Sequence, residues 1–212
     1  MTRDRVQAAA LSLFAARGFE GTGIRQIAAQ AGISVASLYH YMGTKEDLLE
    51  RLMRSSMQRL LEPAAEFMKS VSDPVERLAR LVDLHVREHA RENLLCIIGD
   101  AELRSLSPER RRGIVTLRDA YQKTWEATIA EGCGAGRFKV PDVKLAAYAL
   151  IEMCTGVAYW YTPRGRLGLD QISTSFTAMA LSLVSGADPG GPAPTGKPRA
   201  AARAESGAAR RA

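Results

Sequence analysis

The sequence predicts an all-α protein, and three observations carry that expectation. Apolar residues recur at helical spacing along most of the 212-residue chain. No stretch shows the apolar–polar alternation of a half-buried strand. The apolar runs are also punctuated where helices start and stop, by Ser, Thr and Asp before them and by Gly and Pro after them.

Taken in order, the first helix spans about residues 4–17, buries Val6, Ala9, Ala10, Leu13 and Phe14, and closes at Gly18. Ile24, Ile27 and Ala28 then mark one face of a short helix that Gly32 ends, because Gly tolerates the left-handed conformation of a helix stop. Ser34 is the N-cap of a second short helix, about Val35 to Tyr41, with Ile33, Leu38 and Met42 turned to the core. Two short helices around a Gly-containing turn form the helix-turn-helix pattern, whose second helix enters the major groove of DNA. Thr44 caps a long helix with Glu46 in its first turn and Leu48, Leu49, Leu52, Met53, Leu60 and Leu61 along it, and Pro63 is placed to kink it.

Asp73-Pro74 is an N-cap followed by a first-turn proline. The helix it opens carries Val75, Leu78, Val82, His85, Val86 and His89 on one face. A shorter helix follows from Asn93 to Leu103, and Ser107-Pro108-Glu109 opens another that runs to about Glu131, where Gly132 to Gly136 breaks the pattern. Pro141-Asp142 starts a helix to about Tyr161, stopped by Pro163-Arg164-Gly165, and the last helix covers about Asp170 to Ser185. From Gly186 on, Gly, Pro, Ala and Arg dominate and no large apolar residue occurs, so the segment 187–212 reads as a disordered basic tail. It is either a solvated extension or a source of non-specific phosphate attraction.

An apolar fraction of 46% suffices for a core. No run of ~18 uncharged apolar residues predicts a membrane span. Arg3, Asp4 and Arg5 precede a helical pattern rather than a signal peptide's apolar stretch. Cys96, Cys133 and Cys154 have neither metal-ligand spacing nor the even number of a disulfide framework, which fits a reducing cytoplasm. The net charge is +6, yet residues 1–50 balance to zero and residues 187–212 carry +3, so bulk basicity says little about nucleic acid. Glu46, Asp47 and Glu50 lie beside the positive end of the helix after Thr44 and need not face phosphates.

The N-terminal fifty residues resemble the DNA-binding domain of TetR/AcrR-type bacterial transcription regulators. The run AAALSLFAARGF from Ala8 to Phe19 is similar to the family's first helix, and Gly32-Ile33-Ser34, Leu38-Tyr39 and Thr44-Lys45-Glu46 follow its later signature in order. Met42 stands where the family usually has an aromatic, and Val35 where it often has a polar residue. The resemblance implies a three-helix DNA-binding domain over residues 1–46 and a helical bundle over 47–186 for ligand binding and dimerisation. The implied partners are double-stranded operator DNA, a small-molecule effector and a second copy of the chain, with no cofactor.

On the motif, Val35, Ala36, Ser37, Tyr39, His40 and Tyr41 are left toward the DNA side once the core positions are removed. Small Ala36 and Ser37 allow close approach to base edges, and Tyr39 and His40 can donate to phosphates or bases. Arg25 has the reach for a guanine edge or a phosphate. Lys45 resembles the family's backbone-contacting lysine, and Thr22 and Ser34 complete the candidate set.

In the C-terminal part, Leu81, His85, Leu95, Ile98, Tyr121, Trp125 and Met153 are candidate walls of a mostly apolar pocket, which suits a sizeable apolar small molecule. Arg118 interrupts the apolar stripe Ile114, Leu117, Tyr121, Trp125 and Ile129. A guanidinium is rarely buried unpaired, so Arg118 either pairs with Glu152 or meets an anionic ligand. His85 and His89 lack the further ligands of a metal site. The segment from Gly156 to Leu167 resembles the C-terminal pattern of regulators of lipid and steroid breakdown, several of which respond to acyl-CoA thioesters. The implied function is a ligand-released repressor. A helical-bundle carrier or enzyme for a hydrophobic molecule is the other class, although no paired-carboxylate site, Cys/His/Asp arrangement, phosphate loop or metal spacing supports an enzyme.

Overall fold

The computed structural model describes residues 2–186, so the tail predicted over 187–212 lies outside the described residues. Among those described, the chain is helical with no strand. The helices are α1 (Thr2–Arg17), α2 (Ile24–Ala31), α3 (Val35–Met42), α4 (Lys45–Ser70), α5 (Pro74–Arg91), α6 (Asn93–Ala101), α7 (Pro108–Gly134), α8 (Val143–Thr155), α9 (Val157–Trp160) and α10 (Leu169–Ser185). A 3-10 turn, Leu103–Ser105, follows α6. None of these helices is long and apolar enough to cross a membrane.

The predicted caps are in place. Ser34 Oγ accepts from the Ser37 amide, Thr44 Oγ1 from the Asp47 amide and Asp73 Oδ1 from the Val75 amide. The capping-box partner of Thr44 is Asp47, which sits at the third helical position, rather than Glu46. α4 runs through Pro63 without a break.

Three boundaries differ from the sequence reading. The helix from Asn93 stops at Ala101 and tightens into the 3-10 turn. α7 passes Gly132 and ends at Gly134, two residues before Gly136 takes a left-handed φ of 68°; Gly132 itself is held by the Phe138 ring, which any Cβ there would overlap. The long helix expected up to Tyr161 divides at Gly156 into α8 and the four-residue α9. Gly is ~1 kcal/mol poorer than Ala inside a helix, which makes it the natural breakpoint of that run.

The chain builds two apolar cores. The first holds Val6, Phe14, Ile27, Leu38, Met42, Leu49 and Met53 together with Leu95, Ile98, Leu106 and Ile114. It therefore does not end at residue 46, since α6 and the start of α7 supply part of it. The second holds Leu60, Leu81, Val82, Tyr121, Trp125, Ile129, Leu150 and Val184. α4 and α7 run through both, packed on each other, and α5 packs on α10. α6 and the start of α7 thus form part of the packing beneath α1–α3.

Candidate functional site

α2 and α3 are each eight residues long and are joined by Gly32, at φ 64° and ψ 41°. This left-handed geometry lets the Gly32 amide reach the carbonyls of Ala28 and Ala29, and it sets the angle between the two helices. α3 buries Leu38 and Met42 and leaves its other side open. Arg25, Ser34, Ala36, Ser37, Tyr39 and His40 are all exposed, and Tyr39 is a large aromatic with 53% of its surface open. On α3 the open side thus consists of Ala36, Ser37, Tyr39 and His40, with Ser34 at its cap, while Arg25 is exposed on α2. Ser34 and Ser37 hydroxyls lie 2.9 Å apart, so both serve the cap as well.

Four of the predicted DNA contacts are placed differently. Thr22 is buried, at 1% exposure, and its hydroxyl donates to the Gly18 carbonyl, which closes the turn after α1. Its side chain cannot be a surface contact. Val35 and Tyr41 are half-buried against the first core rather than free on the open face. Lys45 donates to the Phe19 carbonyl at 2.7 Å and to the Thr22 carbonyl at 3.0 Å. Its ammonium also lies 4.2 Å from the Phe19 ring centroid. It fastens the α1–α2 turn to the start of α4, an arrangement that its distance along the sequence from Phe19 hides.

Charges pin the same region to the rest of the chain. Arg110 of α7 lies 2.5 Å from Asp47 and 2.8 Å from Glu50, both on α4. The hydrogen bonds from the Thr44 amide and hydroxyl, then Arg110, hold the Asp47 carboxyl down at about 2. Glu102, after α6, accepts from the Phe19 amide at 3.0 Å. Glu46 likewise accepts from the Ser107 amide at 2.7 Å. The acidic cluster that offsets the basic residues of the N-terminal region is therefore spent on internal contacts.

A cavity of about 210 Å³ lies where α4, α5, α6, α7 and α8 meet. Its buried wall includes Met53, Leu60, His89, Leu95, Ile114 and Tyr121, and its rim the half-buried Arg118 with the exposed Asp100, Tyr148 and Glu152. Of the predicted pocket residues, Leu95, Arg118 and Tyr121 line it. Leu81 and Trp125 are wholly buried in the second core, Ile98 in the first, and Met153 packs against the second from its edge. His85 stands behind the wall. Its ring nitrogens lie 3.3 Å from Tyr121 Oη and 3.0 Å from Thr155 Oγ1, and both of those residues line the cavity.

The volume is also smaller than the sizeable apolar ligand expected from sequence, since sites for drug-sized molecules span roughly 300–1,000 Å³. Arg118 does not pair with Glu152. It donates to Asp100 Oδ1 and to the Gly99 carbonyl, each at 2.9 Å, because α6 brings that acidic residue beside α7. Asp100 carried no signal in the sequence beyond being one of many surface acids. Cys96, on the same wall, has its thiol pushed up to about 12 by burial, which disfavours the thiolate form. Among the described residues no group of His, Cys, Asp or Glu is arranged to hold a metal ion.

Residues 71–184 match the family profile described as "Tetracyclin repressor-like, C-terminal domain", and residues 7–52 match "Bacterial regulatory proteins, tetR family". The chain belongs to the TetR family. It is a DNA-binding transcription regulator with an N-terminal helix-turn-helix and a C-terminal helical domain. A transcriptional repressor of Mycolicibacterium smegmatis, KstR2, is 30% identical over 186 residues, covering 86% of this chain and 90% of that protein. The solved structure of the ketosteroid transcriptional regulator KstR2 of Mycobacterium tuberculosis superposes with a TM-score of 0.80 at 27% identity, over 87% of this chain and 95% of that one. AibR, solved in complex with isovaleryl coenzyme A and operator DNA, superposes with a TM-score of 0.75 at 27% identity, over 84% of this chain and 97% of that one.

Proposed function

We propose that this TetR-family regulator is a homodimeric repressor that an acyl-CoA thioester releases from its operator. One observation carries the reading: the cavity wall draws on both cores. Met53, Leu95 and Ile114 belong to the core beneath the helix-turn-helix, and Leu60 and Tyr121 to the core of the bundle. A ligand seated there presses on both, so it can favour a spacing of the two motifs that does not fit the operator. The effector unit over 47–186 then supplies the whole wall, and Met53, Leu95 and Ile114 join it to the core beneath the DNA-binding unit over 1–46.

The mostly apolar interior and polar rim suit a short acyl group inside with the polar remainder of the ligand outside, where Arg118 could exchange Asp100 for an anionic group. Isovaleryl coenzyme A, bound by AibR, is a ligand of that chemistry. The exposed side chains Arg25, Ala36, Ser37, Tyr39 and His40 are the proposed operator contacts. Leu145 and Tyr148 on α8, with Met179 and Leu183 on α10, leave an apolar face at 44–64% exposure. A second copy covering that face explains why these residues are apolar.

Footprinting on the DNA beside the gene for this protein, combined with light scattering, tests the reading. The expected result is a dimer protecting two half-sites separated by one turn, ~34–36 Å, or a multiple of it. A monomer at micromolar concentration, or no protection, contradicts it. The carrier or enzyme alternative has no specific observation in its favour.

A further inference from the structure

The wall of the cavity offers one acceptor with no protein partner among the described residues. His89 Nδ1 lies 2.9 Å from the His85 carbonyl oxygen. A carbonyl only accepts, so Nδ1 carries the ring proton. Burial lowers the pKa of His89, and the His85 ring is stacked on it at 3.9 Å, an arrangement that disfavours charge on either. The ring is therefore neutral near pH 7, and Nε2 is a bare acceptor. Nε2 has no hydrogen-bond partner among the described residues, and it is not fully enclosed by protein. His89 is only 8% exposed and lines the cavity, so the open edge of its ring faces that space.

The neighbouring wall is apolar, from Met53, Leu60, Leu95 and Ile114. A saturated acyl chain filling the interior would strip solvent from Nε2 and leave it unpaired. An acceptor buried without a partner carries its full desolvation penalty. A chain bearing a hydroxyl avoids that penalty by donating to Nε2. His85 strengthens the case, because its two ring nitrogens hold Tyr121 Oη and Thr155 Oγ1 at the same wall. A neutral His85 donates through one nitrogen and accepts through the other, so the hydroxyl that accepts from its N–H keeps its own proton for the oxygen of the incoming group.

We propose that His89 Nε2 is the selectivity element of the cavity and that the effector's buried part carries a hydroxyl donor, as a hydroxylated rather than a saturated acyl group. The inference rests on the reading of the cavity as an acyl-thioester site.

The test uses the full-length protein with ¹⁵N-labelled histidine, whose three imidazoles are separable by the loss of one signal in His89→Phe. The free protein should show His89 as the Nδ1–H tautomer; an Nε2–H tautomer overturns the proposal before any ligand is added. Hexanoyl-CoA and a set of hydroxyhexanoyl-CoA isomers are then titrated by calorimetry. At least one hydroxylated isomer should bind about tenfold tighter than hexanoyl-CoA and move the His89 Nε2 resonance. In His89→Phe the preference should fall to within about twofold, with hexanoyl-CoA still bound. Equal affinities in the native protein, or a preference that survives His89→Phe, overturn it. Hexan-1-ol and 1-methoxyhexane provide a pair free of CoA. If no thioester binds but the alcohol alone moves Nε2, the thioester reading fails and hydroxyl selection stands. If neither the alcohol nor any hydroxylated thioester moves Nε2, the proposal fails.

Discussion

Replacing Lys45 with Ala separates an internal role for that residue from a DNA contact. The ammonium makes two hydrogen bonds to carbonyls, at 2.7 and 3.0 Å, and sits 4.2 Å from the Phe19 ring. Hydrogen bonds of a charged group contribute about 1.5–3 kcal/mol each, and Lys45 is partly open to solvent, so the lower end applies. The ring contact adds about 0.5 kcal/mol at such a site. Releasing the side chain returns about 1.5 kcal/mol of rotamer entropy. The balance is a loss of about 2 kcal/mol, or about 4–8 °C in melting temperature for a chain of this size. The assay is a thermal melt beside operator binding measured from 50 to 200 mM salt. An internal fastener leaves the slope of log affinity against log salt unchanged, whereas a lost phosphate contact lowers it by about 0.9. A normal melt with a reduced slope would refute the role assigned here.

Other predictions follow from the same geometry. Arg77, with 5% of its side chain exposed, donates twice to the Val71 carbonyl and pairs with Glu131. Arg77→Met should therefore lower the unfolding free energy by about 2–4 kcal/mol in a denaturant melt, and Glu131→Gln, at the solvent-facing partner, by under about 1 kcal/mol. Arg118→Met should cost under about 1 kcal/mol, because its pair with Asp100 is open to solvent. A loss of several kcal/mol there would show that the bond to the Gly99 carbonyl, rather than the exposed pair with Asp100, carries the side chain's contribution.

Burial lowers the pKa of both His85 and His89, so each binds a proton more readily when unfolded. Their contribution is complete above the unfolded value of ~6.5 and is lost as pH falls below it, with a slope of up to about 1.4 kcal/mol per pH unit for each group. Melting temperature should drop between pH 7 and pH 5.5, and by less in His89→Phe. A flat profile would show that the pair is solvated.

Much of the molecule was legible in the sequence because helix starts and stops are local. The caps Ser34, Thr44 and Asp73 and the Gly32 turn depend on neighbours within a few residues, and each is where the spacing put it. Contacts between distant segments were not legible. The Arg118–Asp100 pair, the Lys45 bonds to the α1–α2 turn and the Phe138 ring on Gly132 arise from packing, and no spacing rule reports them. Helical periodicity also marked Leu81, Trp125 and Leu95 alike as apolar, yet Leu95 borders a cavity while the other two fill a core. Periodicity identifies the buried face of a helix, not whether the space opposite is filled.

On the proposed function, a ligand in the cavity governs DNA binding. Fluorescence anisotropy of a labelled fragment from beside the gene for this protein, titrated with protein and then with isovaleryl-CoA, hexanoyl-CoA and its hydroxylated isomers, tests it most directly. The expected result is tight binding that at least one thioester reverses in a saturable manner while free coenzyme A leaves it unchanged. Binding that no acyl thioester alters, at concentrations where calorimetry shows the cavity occupied, would contradict it.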